Sequence, residues 1–151
     1  MTQSDKIFNL NQLTDALNQA DGGDATYEFI MGNIRFGFKD IEHLCFWDAD
    51  FYSRINIASG SNYSLDLICW EKQQHSPIHN HEKDRAWFYI LKGEITEKLY
   101  KPINGSGHYE FEAEKILAPR RSSHLNHGGE RYHELVNSNS GRSVSLHLYV
   151  K

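Results

Sequence analysis

The sequence has few cysteines, no long apolar run and no excess of positive charge, and each absence excludes a class of protein. The two cysteines, Cys45 and Cys69, are too few for a disulfide-rich secreted domain, and we expect both thiols to be reduced. No apolar stretch approaches the roughly 20 residues that a membrane-spanning helix needs. The formal net charge of −4, without a dense Lys/Arg stripe, argues against nucleic acid as the main partner.

Signals for export and for several domains are also lacking. The opening residues, MTQSDKIFNL, do not place a basic segment before an apolar one, so we expect a cytoplasmic protein. No repeat, low-complexity tract or linker interrupts the 151 residues, which predicts one domain over residues 1–151. We expect a monomer, although the sequence itself leaves a twofold dimer open.

Residues 1–47 are predicted to form a helical lead-in. Leu10, Leu13 and Leu17 recur at spacings of three and four, which is typical of an amphipathic helix. The following GGD sequence breaks that pattern, and Asp24 is predicted to cap a second helix through ATYEFIMGNI. The segment KDIEHLCFW predicts a short third helix.

Residues 48–151 change to short alternating segments separated by turns, such as YSLDLICW, GEITEKLY and GHYEFEAEKIL. The last segment, GRSVSLHLYVK, alternates most clearly. One face of this strand carries Val144, Leu146, Leu148 and Val150. The other carries Ser145, His147 and Tyr149. Many short strands without intervening helices predict a mainly β protein, as a sandwich, barrel or jelly roll.

A pair of histidines is the first candidate site. If His79 and His81 lie in a strand, their spacing of i and i+2 places both imidazoles on one face, where they can share a metal ion. Two surface histidines on an exposed strand are the alternative interpretation. The pair is followed by four residues, Ala86, six residues and Gly93, a pattern similar to the first signature of the cupin β-barrel.

A third imidazole is needed to complete such a site. The sequence HELVN is similar to the end of the second cupin signature and supplies His133 and Asn137. His124 and His127, in a loop rich in Ser and Gly, are competing candidates, and we expect His133 to be the ligand.

The cupin pattern usually has glutamate at the position of Ala86. Without it, three neutral imidazoles leave the metal with its full charge and open coordination positions, which favours an anionic chelating substrate. A degenerate cupin with a weakened or structural metal site is the alternative.

Five segments between about Tyr52 and Tyr149 together resemble the thiol dioxygenases, and within them the cysteine dioxygenases. They are YSRINI, LICW, SPIHNHEKDRAWFYILKGEITEKLY, HELVN and SVSLHLY, in that order. The resemblance implies a cupin jelly-roll β-barrel with a short N-terminal helical segment. It also implies an Fe(II) cofactor and the oxidation of L-cysteine by O2 to cysteine sulfinic acid.

The resemblance assigns roles to individual residues. It implies that Fe(II) is bound by His79, His81 and His133. It implies that Arg54 binds the substrate carboxylate, with Tyr52 close by, and that Trp70 packs against the pocket. It implies an outer relay of Ser145, His147 and Tyr149. From its residue type alone, Arg54 would be interpreted as part of a surface salt bridge.

One departure from the family pattern concerns Ala86. In the animal enzymes a cysteine here forms a thioether crosslink with the tyrosine at the place of Tyr149, and alanine cannot; bacterial members commonly lack this cysteine too. Cys45 and Cys69 belong to other motifs and are interpreted as small buried hydrophobic residues.

Two alternative functions remain at this stage. The first is 3-mercaptopropionate dioxygenase, although that branch typically has glutamine where Arg54 stands. The second is a non-catalytic cupin that binds a metal or small ligand, which would not need the relay ending at Tyr149.

Overall fold

A computed structural model describes residues 5–81, 84–120 and 131–151, together with the backbone of residues 122–125. Three short helices come first: α1 (Leu10–Asn18), α2 (Asp24–Gly32) and α3 (Phe38–Ile41), the last continued by a 3-10 turn over Glu42–Leu44. Within the described ranges no helix is both long and apolar enough to cross a membrane.

The described residues then form eight strands. They are β1 (Ser53–Ser59), β2 (Tyr63–Trp70), β3 (Arg85–Lys92), β4 (Ile95–Pro102), β5 (Tyr109–Leu117), β6 (Ser122–Leu125), β7 (Tyr132–Asn137) and β8 (Ser143–Val150). One sheet has the order β1-β2-β8-β3-β6 and the other the order β5-β4-β7, and the paired strands are antiparallel. The prediction of a mainly β protein with a short N-terminal helical segment is therefore confirmed.

A side chain caps the first helix, and a glycine precedes the second. The side chain of Asn9 accepts a hydrogen bond of 2.8 Å from the backbone N–H of Gln12, which caps α1. The prediction that Asp24 caps α2 is wrong, because Gly23 is the capping residue and Asp24 is already helical. Its carboxylate instead lies 2.6 Å from Arg85 on β3 and ties the helix to the sheet.

The largest apolar cluster lies between the helices and one face of the five-stranded sheet. From the helices it contains Leu13, Leu17 and Met31, and from β8 it contains the four apolar residues of the predicted alternation. Their polar neighbours, Ser145 and His147, are also buried, on the opposite face. Because the helices cover one face of this sheet, the polar residues of β8 point into the space between the two sheets.

Gly93, the glycine of the first signature, has a structural reason to be glycine. Its φ of +73° is in the left-handed region. A Cβ here would meet the Ser143 hydroxyl and lie 2.8 Å from the Arg142 carbonyl oxygen. The tight β3–β4 turn therefore excludes a side chain at this position.

Candidate metal centre

Three imidazoles converge inside the barrel. His79 Nε2 lies 3.0 Å from His133 Nε2, and His81 Nε2 lies 3.2 Å from the same atom. One ligand atom from each ring lies within 4.8 Å of the other two, and the described residues add no carboxylate to this cluster. The structure thus brings together the three histidines that the sequence singled out.

The segment that carries His79 and His81 is not the continuous strand that their spacing suggested. His79 forms an isolated bridge with His133 on β7, through backbone hydrogen bonds of 3.0 and 2.8 Å, while residues 80 and 81 have no regular structure. Pro77 has no N–H to donate, which interrupts pairing with β7 just before the site. The two rings reach the same centre from a short, partly paired segment.

Hydrogen bonds at the far side of two rings determine which nitrogen faces the centre. His79 Nδ1 donates to the carbonyl oxygen of Pro77 at 2.8 Å, and His133 Nδ1 donates to Glu97 Oε2 at 3.0 Å. A carbonyl and a carboxylate can only accept, so each Nδ1 carries the proton. In the neutral rings, Nε2 therefore presents its lone pair to the centre.

Glu97 on β4 is a site residue that the sequence reasoning missed. It is 1% exposed, and its second oxygen lies 3.5 Å from Lys115 Nζ on β5. The sequence contains only a weak indication that Glu97 belongs to the site. In GEITEKLY it lies between Ile95 and Leu99 on one face of the strand. A carboxylate in an apolar row is unusual, but only the pairing of β4 with β7 shows that it meets His133.

Burial favours the neutral form of His79 and His81. Burial first, and then the neighbouring rings of His133 and His79, lower the pKa of His81 to about 3. The pKa of His79 is also lowered, mainly by burial and then by His133. Neutral imidazole is the form that binds metal ions, so the environment prepares these rings for that role.

The spacing of the nitrogens fits a transition metal ion. Metal–nitrogen bonds of about 2.1 Å at right angles separate two nitrogens by about 3.0 Å. The observed separations of 3.0 and 3.2 Å match that value. Lone pairs held this close repel each other, and a cation between them would remove the repulsion.

Arg54 lies beside the histidine cluster, on β1. Its Nη1 donates to Asp66 Oδ2 at 3.0 Å and to the hydroxyl of Tyr149 at 2.9 Å. Arg54 therefore makes a salt bridge, as its residue type suggested, and it also lines the pocket, as the family resemblance implied. Among the described residues, nothing accepts a hydrogen bond from its Nη2 or Nε.

The polar residues of β8 form a chain of hydrogen bonds. Ser145 Oγ lies 2.7 Å from His147 Nε2, and His147 Nδ1 lies 3.4 Å from the hydroxyl of Tyr149. The indole N–H of Trp70 donates to Ser145 Oγ at 2.9 Å, so Trp70 holds the chain in addition to packing. The pKa of His147 is well below its usual value, first because of burial and then because of Arg54.

Burial also raises the pKa of Tyr149, against the opposing influence of Arg54. Its hydroxyl therefore remains protonated at neutral pH and can donate one hydrogen bond. The ring centroid of Tyr149 lies 5.5 Å from that of His81, which places this donor next to the three-histidine cluster.

A small cavity of about 10 Å³ lies between these groups. It is lined by Tyr52, Arg54, Ile68, Trp70, Ser76, His79, His81, Phe88, His133, Leu135, His147 and Tyr149. Apart from its histidines, this described lining has one ionisable side chain that is charged at neutral pH, Arg54. Tyr52 packs against Trp70 with the rings tilted and their centroids 4.6 Å apart, and it forms part of the wall. Arg54 gives this small cavity hydrogen-bond donors that suit an anion.

Ala86 and His124, two further positions that the sequence singled out, lie on the paired strands β3 and β6. Ala86 is fully buried and pairs directly with Tyr149 across β3 and β8. The backbone of His124 pairs with Trp87, but its side chain and all of His127 lie outside the described residues.

Solved structures with the same fold agree with this architecture. The TT1209 protein of Thermus thermophilus superimposes with a TM-score of 0.61 and 20% identity, covering 74% of this chain and 93% of that one. A sugar phosphate isomerase of the cupin superfamily from Silicibacter pomeroyi gives a TM-score of 0.53 and 14% identity over 78% and 66% of the two chains. The predicted cupin fold is therefore confirmed.

Curated relatives are cysteine dioxygenases. The human type 1 enzyme is 28% identical over 101 residues, and the Bos taurus enzyme is 29% identical over 101 residues. In each case the match covers 65% of this chain and 50% of the relative, so the chain spans about half the length of the curated relatives it matches. The family model described as cysteine dioxygenase type I matches residues 8–151, and the chain therefore belongs to that family.

Proposed function

We propose that this protein is an Fe(II)-dependent dioxygenase that oxidises the thiol of L-cysteine to a sulfinic acid. The observation that carries the proposal is the position of Arg54 and Tyr149 next to three converging imidazoles. Membership of the cysteine dioxygenase family supports the same chemistry. Both atoms of O2 enter the product, so the reaction needs no external reductant.

Arg54 is proposed to bind the substrate carboxylate. Its Nη1 is held by Asp66 and Tyr149, and this leaves Nη2 and Nε as a pair of parallel donors for a planar carboxylate. Two such bonds fix both the position and the orientation of a small amino acid. Tyr52, on the neighbouring wall, limits how far the substrate can extend.

His79, His81 and His133 are proposed as the metal ligands. Bound Fe(II) would supply the activation of O2 and of the substrate thiol. Imidazole also binds Zn(II), and usually more tightly, so the metal found in a purified sample is not necessarily the active one.

The β8 relay is proposed to control hydrogen bonding and protons at the reacting atoms. Tyr149 keeps its proton and would donate it as a hydrogen bond beside the substrate sulfur. His147 orients that hydroxyl, and Ser145 orients the ring of His147. A neutral His147 has a single N–H, so the ring must accept one of its two hydrogen bonds.

Activity towards 3-mercaptopropionate is the nearest rival. Both thiols carry a carboxylate, and Arg54 could bind either. The family resemblance favours cysteine, because arginine stands where the other branch typically has glutamine. A binding protein without activity is the rival from another class, and the relay beside the cluster argues against it.

Oxygen consumption by iron-loaded protein tests the proposal. We expect L-cysteine to drive uptake, with both atoms of isotopically labelled O2 in the product by mass spectrometry. We expect kcat/KM to be higher for L-cysteine than for 3-mercaptopropionate, and Arg54→Ala to lower the value for L-cysteine about thirtyfold, since losing a charge-assisted pair costs about 2 kcal/mol. No uptake with either thiol would overturn the enzyme assignment, and a preference for 3-mercaptopropionate would overturn the substrate.

A further inference from the structure

Asp66 on β2 is an acid that contacts Arg54, a lining residue of the cavity, and an acid near that cavity opposes the binding of a carboxylate. Its Oδ2 lies 3.0 Å from Arg54 Nη1. The Asp66 side chain is 12% exposed, against 43% for that of Arg54. The Asp66 carboxylate is therefore largely shielded from water, whereas the Arg54 end of the pair is partly screened by solvent.

A set of donors holds this carboxylate in place. Its Oδ1 accepts hydrogen bonds from Asn56 Nδ2 at 2.9 Å and from Ser64 Oγ at 3.3 Å. Asn56 pairs directly with Asp66 across β1 and β2, and His147 pairs with it on the other side. Because Oδ1 is bound by neighbours within the sheet, Oδ2 is free to hold Arg54.

The arrangement divides the donors of Arg54 into two groups. Nη1 is engaged by Asp66 and by the hydroxyl of Tyr149. The edge formed by Nη2 and Nε makes no hydrogen bond to any described residue. We propose that Asp66 is a positioning residue that fixes the Arg54 guanidinium so that this free edge is presented to the substrate carboxylate. This inference rests on the proposed function of Arg54.

The physical reason is conformational. A free arginine side chain samples many rotamers, and part of that freedom is lost each time it binds a ligand. An acceptor that already holds one end of the fork removes most of this cost before the substrate arrives. The loss of Asp66 should therefore weaken the binding of ligands with a carboxylate and leave ligands without one unaffected.

Anaerobic calorimetry on the iron-loaded protein tests this prediction with two ligands. L-cysteine has a carboxylate, and cysteamine has the same thiol and amine without it. We expect Asp66→Ala to weaken L-cysteine binding about tenfold, equivalent to about 1.4 kcal/mol, with cysteamine unchanged. Asp66→Asn keeps an oxygen that can accept from Nη1 and should recover part of the loss. Equal losses for both ligands would overturn the proposal.

Asp24→Ala is a matched control, because it removes the acid of another Arg–Asp pair, 2.6 Å from Arg85, on the outer helix. It should leave the binding of both ligands unchanged. In the Arg54→Ala background, Asp66→Ala should have no further effect on L-cysteine binding. If Asp66→Ala weakened L-cysteine binding as much in this background as in wild type, Asp66 would act independently of Arg54.

Urea unfolding of the metal-free protein gives a readout that needs neither iron nor substrate. Wild type, Arg54→Ala, Asp66→Ala and the double variant form a thermodynamic cycle. We expect the two substitutions to be non-additive, because each removes the same pair, and additive effects would overturn the pairing. If the cycle shows coupling but L-cysteine does not bind to wild type, the proposed function fails while the Arg54–Asp66 pair stands.

Discussion

Glu97 Oε2 accepts a hydrogen bond from His133 Nδ1 at 3.0 Å, and both side chains are almost fully buried. A carboxylate behind a metal-binding imidazole fixes the ring and its tautomer and makes Nε2 more basic. The pair crosses from β4 to β7 in the smaller sheet, whereas Arg54 and the relay belong to the larger one. The proposed site, which consists of the metal centre, Arg54 and the relay, is therefore built from both sheets.

Replacing Glu97 by Gln should weaken metal binding about 10- to 100-fold, the range typical of such outer carboxylates. Gln retains an acceptor oxygen but removes the negative charge that strengthens the imidazole. The affinity can be measured by competition with a coloured chelator. Glu94→Gln, at an exposed position just before β4, is the matched control and should not change the metal affinity. Equal affinities for the Glu97→Gln variant and wild type would mean that Glu97 does not support the site.

Introducing glutamate at Ala86 should convert the site into one with four protein ligands. Ala86 is buried beside Phe88 and Tyr149, and the Phe88 ring lies 5.3 Å from that of His133. A carboxylate here would bind the metal to satisfy its charge, because a buried unpaired carboxylate is costly. We expect tighter metal binding and loss of L-cysteine binding under anaerobic conditions. Ala86→Gln has the same size without the charge, and tighter metal binding in that variant as well would contradict the argument.

Cysteine at position 86 should react with Tyr149. The two residues are direct partners in the β3–β8 register, and both belong to one buried cluster. Cross-strand neighbours have Cβ atoms about 5 Å apart, within reach of the tyrosine ring for a sulfur atom. After aerobic incubation with Fe(II) and L-cysteine, we expect Ala86→Cys to lose two hydrogens by mass spectrometry, through a thioether. Ala86→Cys combined with Tyr149→Phe should keep its mass, and an unchanged mass in the single variant would argue against this contact.

Most of the fold could be predicted from local sequence. The helix that carries Leu13 and Leu17 and the strands β2, β4, β5 and β8 follow from the side-chain periods of the sequence. The predicted capping residue of α2, Asp24, is one residue too late. Gly23 takes that position without a side-chain hydrogen bond.

The metal ligands could be proposed because their order and spacing follow a known family pattern. The residues that support them could not, because each acts through pairing between distant segments. Glu97 and His133 are far apart in sequence and meet only because β4 pairs with β7. Asp66 reaches Arg54 only because the β1–β2 register places it opposite Asn56. A strand's own alternation shows which face a residue occupies but not which residue it faces.

Cys45 should be poorly reactive although it is only partly buried. Burial, followed by the nearby Cys69, raises the pKa of the Cys45 thiol from 9.0 to about 12. The thiolate is the reacting form, and a higher intrinsic nucleophilicity offsets only part of its smaller population. At about pH 8 we expect iodoacetamide to modify Cys45 at least about tenfold more slowly in the folded protein than in urea, measured by peptide mass spectrometry. In the unfolded chain this thiol ionises above its pKa of 9.0, whereas in the folded protein it keeps its proton until about pH 12. The stability that the protonated thiol contributes to the folded protein is therefore lost as the pH rises from about 9 towards 12. Equal modification rates in the folded and unfolded states would mean that the environment of Cys45 does not protect the thiol.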